Sequence, residues 1–126
     1  PALLYWGPRF LYERYGKDIM ITENGFSQND VIDEDGGVHD ENRILYTKQY
    51  LKNLQRAVEE GVPVTGYMHW SLMDNFEWGE GYTQRFGLTY VNYETGERTI
   101  KDSGYWYQKL IASNGALLSA AEKVLV

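Results

Sequence analysis

The sequence predicts an α/β fold built around one parallel βαβ unit. Two short apolar segments, 18–22 and 62–72, contain β-branched residues and have the length of buried strands. The segment between them, 41–60, carries apolar residues at helical spacing. Two strands joined by a helix form a right-handed parallel unit by default. The predicted element order is helix, strand, helix, strand, helix.

A first helix is predicted over residues 3–15, before the first strand. Its apolar face is formed by Leu3, Leu4, Phe10, Leu11 and Tyr15, and Gly16 ends it. Pro8 interrupts the pattern, so we expect the regular helix to begin near that residue. After the strand, residues 24–40 form a polar loop marked by Asn-Gly and Gly-Gly pairs.

The second helix, 41–60, has clear boundary signals. Asp40 is a suitable N-cap, and Gly61 with Pro63 closes the segment. The second strand lies within Val62 to Leu72. It is followed by a long loop, 73–85, which is rich in Gly, Trp and acidic residues and contains Arg85 as its only basic residue.

The last third predicts a hairpin and a helix. Residues 86–93 alternate as a strand, 94–96 form a turn, and 98–100 return. Asp102 or Ser103 is expected to cap a final helix that ends at Asn114-Gly115. Residues 116–126 are an Ala/Leu/Val tail of weak helical character.

Size and composition exclude several classes of function. The chain has 126 residues, whereas a closed eight-fold barrel takes about 250. A net charge of −6 without a Lys/Arg cluster argues against nucleic-acid binding. There is no cysteine for a disulfide or thiolate site, and no apolar run long enough for a membrane span. The N-terminus lacks signal-peptide features and reads as the middle of a longer chain, so we expect a cytoplasmic protein.

Glu23 is the first candidate for chemistry. It follows an apolar strand and precedes a turn, and groups at the carboxyl ends of parallel barrel strands face the active site. A carboxylate there can attack an anomeric carbon. The alternative is a turn carboxylate that caps local amides, with Asn24-Gly25 simply supplying a positive φ.

Trp70, Glu77 and Trp78 are the second candidates. The chain is 15% aromatic, with 11 Tyr and 4 Trp, and such rings suit surfaces that meet sugars. An indole can stack on a pyranose, a carboxylate can accept from two hydroxyls, and an indole N–H can donate to another. The alternative is a structural loop held in place by its Trp residues.

Three other polar features suggest no site. His69 is interpreted as a hydrogen-bonded core residue and His39 as a solvated loop residue. The acidic segment 29–36 invites a calcium-loop interpretation. However, the EF-hand pattern fails, because Val31 would fall at the first ligand position and Asn42 at the last. A solvated loop is expected.

These motifs carry a family resemblance. The chain resembles the C-terminal portion of family 1 glycoside hydrolases of the bacterial β-glucosidase type, from about residue 3 to residue 115. The matching segments are Ile21–Gly25, Trp70–Trp78, Gly81-Tyr82, Arg85–Leu88 and Lys101–Tyr107. The resemblance implies that residues 1–126 are a C-terminal segment of one (β/α)8 TIM barrel, with Glu23 ending strand seven and Trp70 ending strand eight.

The resemblance also implies roles. Glu23 matches the retaining nucleophile, Trp70 the sugar-stacking indole, Glu77 and Trp78 the pair that holds glycone hydroxyls, and Phe86 a wall of that subsite. No cofactor or metal is implied. Phospho-glycosidase relatives carry a Ser and a nearby Lys in this loop. The Glu77 carboxylate therefore favours an unphosphorylated β-glucoside or related saccharide.

The largest departure from the family is an absence. The Asn-Glu-Pro motif of the general acid does not occur in the sequence. We expect the N-terminal remainder of the barrel to supply it, covalently or as a separate chain, and the isolated chain to be inactive. The alternatives are a non-catalytic sugar-binding module and a fragment that self-assembles to bury its sheet edges. Glucose, galactose and fucose are not distinguished.

Overall fold

The parallel βαβ unit predicted from the sequence forms the centre of the structure, a computed structural model that describes residues 1–119. Strand β1 (Ile19–Asn24) pairs in parallel with β2 (Val64–His69), and helix α2 (Glu41–Glu59) connects them. The pairing aligns Ile19 with Val64 and Asn24 with His69, so the carboxyl ends of both strands meet at one edge. The predicted fold of this segment is therefore confirmed.

Helix α1 (Leu3–Tyr15) precedes the unit and packs against α2. It begins at Leu3 and contains the buried Pro8, so the expectation that the regular helix starts near Pro8 was wrong. Proline lacks an N–H and its ring crowds the carbonyl one turn earlier, and packing of this buried face against the core accommodates that cost. Gly16 ends the helix in a left-handed conformation with φ of 60°.

A small core lies at the amino end of the strands. Tyr5 of α1, Ala57 of α2 and Val62 are buried together, and Ile19 and Val64 pack against them. On the strands, by contrast, Met20 and Met68 are 49% and 53% exposed. The described residues thus leave one face of this sheet uncovered, whereas parallel sheets are ordinarily covered on both faces.

A hairpin, a third helix and two 3₁₀ turns complete the described chain. Strands β3 (Thr89–Val91) and β4 (Arg98–Ile100) are antiparallel, so the first is shorter than the predicted 86–93. Helix α3 (Asp102–Ala112) follows, and 3₁₀ turns occupy Trp78–Glu80 and Ala116–Leu118. Lys101 occupies the N-cap position of α3 without a side-chain cap, so capping by Asp102 or Ser103 was a wrong prediction. Tail residues 120–126 lie outside the described part.

Candidate active site

Glu23 lies one residue before the end of β1, with an exposed side chain. Its neighbour Asn24 turns the other way. The Asn24 Oδ1 accepts from the Tyr67 hydroxyl at 2.9 Å, and its Nδ2 donates to Tyr46 of α2 at 3.3 Å. The strand pairing is irregular between Ile21 and Asn24, so strict alternation of side chains does not hold here. The Glu23 carboxylate is exposed at the strand end, whereas Asn24 is hydrogen-bonded to β2 and α2.

Trp70 is held directly beside this strand end. Its backbone N–H donates to the Asn24 carbonyl at 2.8 Å. A Cβ on Gly25 would lie 1.8 Å from the Trp70 carbonyl oxygen. Gly25 has no positive φ, so the proposed φ role was wrong, and the residue is glycine because two backbones approach closely. The half-buried Trp70 and Glu23 thus belong to one edge of the sheet.

Backbone hydrogen bonds of Ser71 connect Phe86 to the same edge of the sheet. The Ser71 N–H donates to the Phe86 carbonyl at 3.2 Å, and the Ser71 carbonyl accepts from Leu88 at 2.9 Å. The segment that carries Phe86 therefore runs alongside the residue that follows Trp70. Backbone hydrogen bonds therefore connect the segments that carry Glu23, Trp70 and Phe86.

Glu77 and Trp78 lie on a separate turn of the loop after β2. The Glu77 N–H donates to Gly81 O at 2.7 Å, and the Glu80 N–H donates to Glu77 O at 2.8 Å. Glu77 is half-buried, and Trp78 is 85% exposed with φ of 40°. The Asn75 side chain anchors the start of the loop by donating to Ser71 Oγ at 3.0 Å. The turn therefore offers a second carboxylate and a second indole on a hydrogen-bonded support.

A buried ionic cluster lies behind these segments, formed by Asp30, Asp40, Arg43, Asp74 and Lys101. Every one of these side chains is fully buried. Lys101 Nζ bridges Asp30 and Asp74, and the Arg43 guanidinium bridges Asp30 and Asp40. Burying so many charges requires pairing of each. The cluster joins both loops of the candidate site to α2 and α3.

Asp74 connects the ionic cluster to the segment around Phe86. Its Oδ1 accepts from the Gly87 N–H at 2.9 Å and from Lys101 at 2.7 Å. Its Oδ2 accepts from Arg85 Nη1 at 2.7 Å. The residues on both sides of Phe86 are therefore bound by one carboxylate, which also supplies the charge that balances Arg85.

The surroundings of Asp30 and Asp40 contradict two predictions made from the sequence. The acidic segment 29–36 was expected to be solvated, yet Asp30 is buried. Burial opposes its charge, but hydrogen bonds from Arg43 and Lys101 prevail and lower the pKa of the carboxyl. Asp40 occupies the N-cap position of α2 without capping it. Its carboxylate instead accepts from the Ser103 N–H at 2.8 Å, at the start of α3. Across residues 1–119, no group of three His, Cys, Asp or Glu side chains is placed to hold a metal ion.

His69 differs from its interpretation, whereas His39 is exposed as expected and has partners as well. The ring nitrogens of His69 are buried without a hydrogen-bond partner within the described residues, so a hydrogen-bonded core histidine was wrong. Burial, and then the charges of Arg43 and Lys101, lower its pKa to about 4. His39 is paired rather than merely solvated: Nδ1 lies 2.7 Å from Asp102 and Nε2 lies 3.0 Å from Asp35.

Arg43 and Lys101 are the residues that the sequence analysis missed. A signal for Arg43 was present, because Arg43, Thr47, Leu54 and Ala57 form the buried face of α2 at helical spacing. An arginine on an apolar face needs buried carboxylate partners. No comparable signal marks Lys101, whose partner Asp30 lies 71 residues away.

The parallel fold and the sequence motifs both indicate the class of glycoside hydrolases, and the comparison with known protein families agrees. The profile described as glycosyl hydrolase family 1 matches residues 1–116, and the chain belongs to that family. No helix within residues 1–119 has the length and apolar character needed to cross a membrane.

Particular relatives extend the comparison. The chain is 50% identical over 116 residues to β-glucosidase A of Thermotoga maritima, covering 91% of this chain and 26% of the relative. It is also 50% identical over 103 residues to the 6-phospho-β-galactosidase of Staphylococcus epidermidis, covering 81% of this chain and 22% of the relative. The solved structure of the Thermotoga maritima β-glucosidase in complex with glucoimidazole superposes with a TM-score of 0.90, at 50% identity, over 91% of this chain and 26% of that chain. This chain spans about a quarter of the length of these relatives.

Proposed function

We propose that this chain is the C-terminal quarter of a (β/α)8 retaining β-glycosidase, with β1 and β2 as its seventh and eighth strands. Family membership and the 26% coverage of β-glucosidase A support this proposal. So does the uncovered sheet face, on which Met20 and Met68 are exposed. An apolar groove of about 410 Å³ between α3 and the hairpin offers a further surface for the missing strands and helices.

Glu23 is proposed as the nucleophile, and its placement at the end of a parallel strand beside Trp70 is the observation that carries the proposal. Its carboxylate attacks the anomeric carbon and forms a glycosyl ester as the bond to the aglycone oxygen breaks. A carboxylic acid from the remainder of the barrel protonates that leaving oxygen. The two carboxyl groups must lie roughly 5–5.5 Å apart.

Water completes the reaction in the second step. The group that acted as acid now removes a proton from a water molecule, and the oxygen of that water attacks the anomeric carbon. The ester bond breaks, Glu23 returns as a carboxylate, and the sugar leaves with its configuration retained. The isolated chain lacks the acid and is therefore expected to hydrolyse nothing.

The glycone subsite is assigned to four side chains, Trp70, Glu77, Trp78 and Phe86. Trp70 stacks on the apolar face of the sugar, and Phe86 forms an adjoining wall. Glu77 accepts from two hydroxyls while the Trp78 indole N–H donates to a third. The hydrogen-bonded turn around Glu77 reduces the ordering needed on binding.

Glu77 is also the residue to which we assign a preference for unphosphorylated glycosides. The chain matches a 6-phospho-β-galactosidase as well as a β-glucosidase at 50% identity, so overall identity does not separate the two classes. A carboxylate at Glu77 would repel a sugar phosphate. We expect hydrolysis of a p-nitrophenyl β-glucoside and none of its 6-phosphate. The opposite preference would contradict this assignment.

The test uses the full-length polypeptide that carries this sequence, with p-nitrophenyl β-glucoside as substrate. Glu23→Gln is expected to abolish turnover while the circular dichroism spectrum and glucose binding are retained. Glu80→Gln is the matched control, because Glu80 is an exposed acid of the neighbouring loop, and it should keep wild-type turnover. Turnover retained in Glu23→Gln would exclude Glu23 as the nucleophile.

A further inference from the structure

The guanidinium of Arg43 contacts both backbone segments that carry the candidate site. Its Nε donates to the Phe26 carbonyl at 3.1 Å, and its Nη2 donates to the Arg85 carbonyl at 2.8 Å. Phe26 lies three residues after Glu23, and Arg85 directly precedes Phe86. One planar group thus connects the segment after the proposed nucleophile with the segment of the proposed sugar wall.

Carboxylates fix the guanidinium in one orientation. Asp40 accepts from Nη1, and Asp30 accepts from Nη2 at 2.7 Å. Lys101 donates to the same oxygen of Asp30 and supplies the second cation. The Arg43 side chain is 0% exposed, so water cannot replace any of these partners. A different orientation would leave a buried charge unpaired.

We propose that Arg43 is a positioning residue for the glycosidase site, which sets the separation between the Glu23 strand end and the Phe86 segment without touching substrate. This inference rests on the proposed function. A guanidinium presents its donors in a rigid plane, whereas a lysine ammonium is a single point of charge on a flexible stem. Arg43→Lys therefore keeps the charge but cannot hold both carbonyls and both carboxylates.

The experiment compares Arg43→Lys with Val62→Ala in the full-length polypeptide, at a temperature where both variants are fully folded. Val62 belongs to the core at the amino end of the strands, away from the site. Arg43→Lys is expected to lower kcat/KM for p-nitrophenyl β-glucoside by about 10- to 100-fold, because sub-ångström to 1 Å displacements carry such losses. Amide hydrogen exchange should accelerate in segments 26–29 and 85–88. Val62→Ala should lower thermal stability yet keep kcat/KM within about twofold.

Two results would overturn the positioning role. One is wild-type kcat/KM with unchanged exchange in Arg43→Lys, and the other is an activity loss that only parallels global unfolding, as in Val62→Ala. Should Arg43→Lys not fold, Asp40→Asn replaces it, since this isosteric change weakens the partner of Nη1 and predicts the same local exchange. A wild-type protein inactive on β-glucosides would reject the proposed function, while the exchange data still decide whether Arg43 orders both segments.

Discussion

Replacing Gly25 with alanine is expected to separate the two strand ends that form the candidate site. A Cβ on Gly25 lies 1.8 Å from the Trp70 carbonyl oxygen and 2.8 Å from the carbonyl carbon. Side-chain carbons do not approach other atoms closer than 3.0 Å, so the backbones must move apart by about 1.2 Å. The contacted atoms belong to the backbone, so a rotamer change cannot relieve the overlap.

This displacement has a predictable kinetic cost. Glu23 and Trp70 lie on the two segments that are forced apart, and a 1 Å misplacement of reacting groups costs about 100-fold in rate. That factor corresponds to about 2.7 kcal/mol of transition-state stabilisation. The assay is kcat/KM of the full-length polypeptide on p-nitrophenyl β-glucoside, with circular dichroism to verify folding.

Gly79→Ala is the matched control for Gly25→Ala. Gly79 lies in the same loop as Glu77, has no positive φ, and has no heavy atom within 4 Å of an added Cβ. It should keep wild-type activity. A folded Gly25→Ala variant with kcat/KM within about threefold of wild type would refute the close-approach argument.

Three predictions concern stability of the full-length polypeptide. Lys101→Met removes the cation that pairs with the buried carboxylates of Asp30 and Asp74. It should reduce the free energy of unfolding, measured by urea titration, by about 3–5 kcal/mol; a loss below about 1 kcal/mol would contradict this. Asp102, followed by Asp35, raises the pKa of His39 to about 9, so its stabilisation is complete below pH 6.5 and disappears as the pH rises through 9. His39→Gln should remove that dependence from the melting profile. Burial lowers the pKa of His69 to about 4, so the stabilisation from its neutral imidazole should be complete above pH 6.5 and be lost as the pH decreases through 4. An unchanged pH dependence of the melting profile in His69→Phe would contradict this.

The elements of the fold were predictable because they depend on local patterns. Apolar runs of strand length and a helix with clear end signals determine the parallel unit of β1, α2 and β2. The bounds of α1 match the predicted 3–15, but the expected late start near Pro8 was wrong, since packing of the Pro8 face outweighs the missing hydrogen bond. Tertiary packing similarly decides the strand limits of the hairpin, where only Thr89–Val91 pair.

The placement of Glu23 and Trp70 at one edge of the sheet was also predictable, because parallel strands bring their carboxyl ends to the same edge. The ionic cluster was not, because its partners are distant in sequence: Lys101 and Asp30 are separated by 71 residues. The same distance explains the error on the acidic segment, whose Asp30 looks solvated until α2 and α3 enclose it. Asp40 shows the corresponding ambiguity at a helix start, since its carboxylate binds Ser103 and the Arg43 side chain rather than the first backbone amides of its own helix.

Covalent trapping tests the assignment of Glu23 most directly. The full-length polypeptide would be incubated with 2-deoxy-2-fluoro-β-glucosyl fluoride, whose glycosyl ester hydrolyses slowly, and the labelled peptide would be identified by mass spectrometry. We predict one sugar label, carried by Glu23, and no label on Glu77. A label on another carboxylate, or an active enzyme that forms no glycosyl ester, would contradict the proposed retaining mechanism.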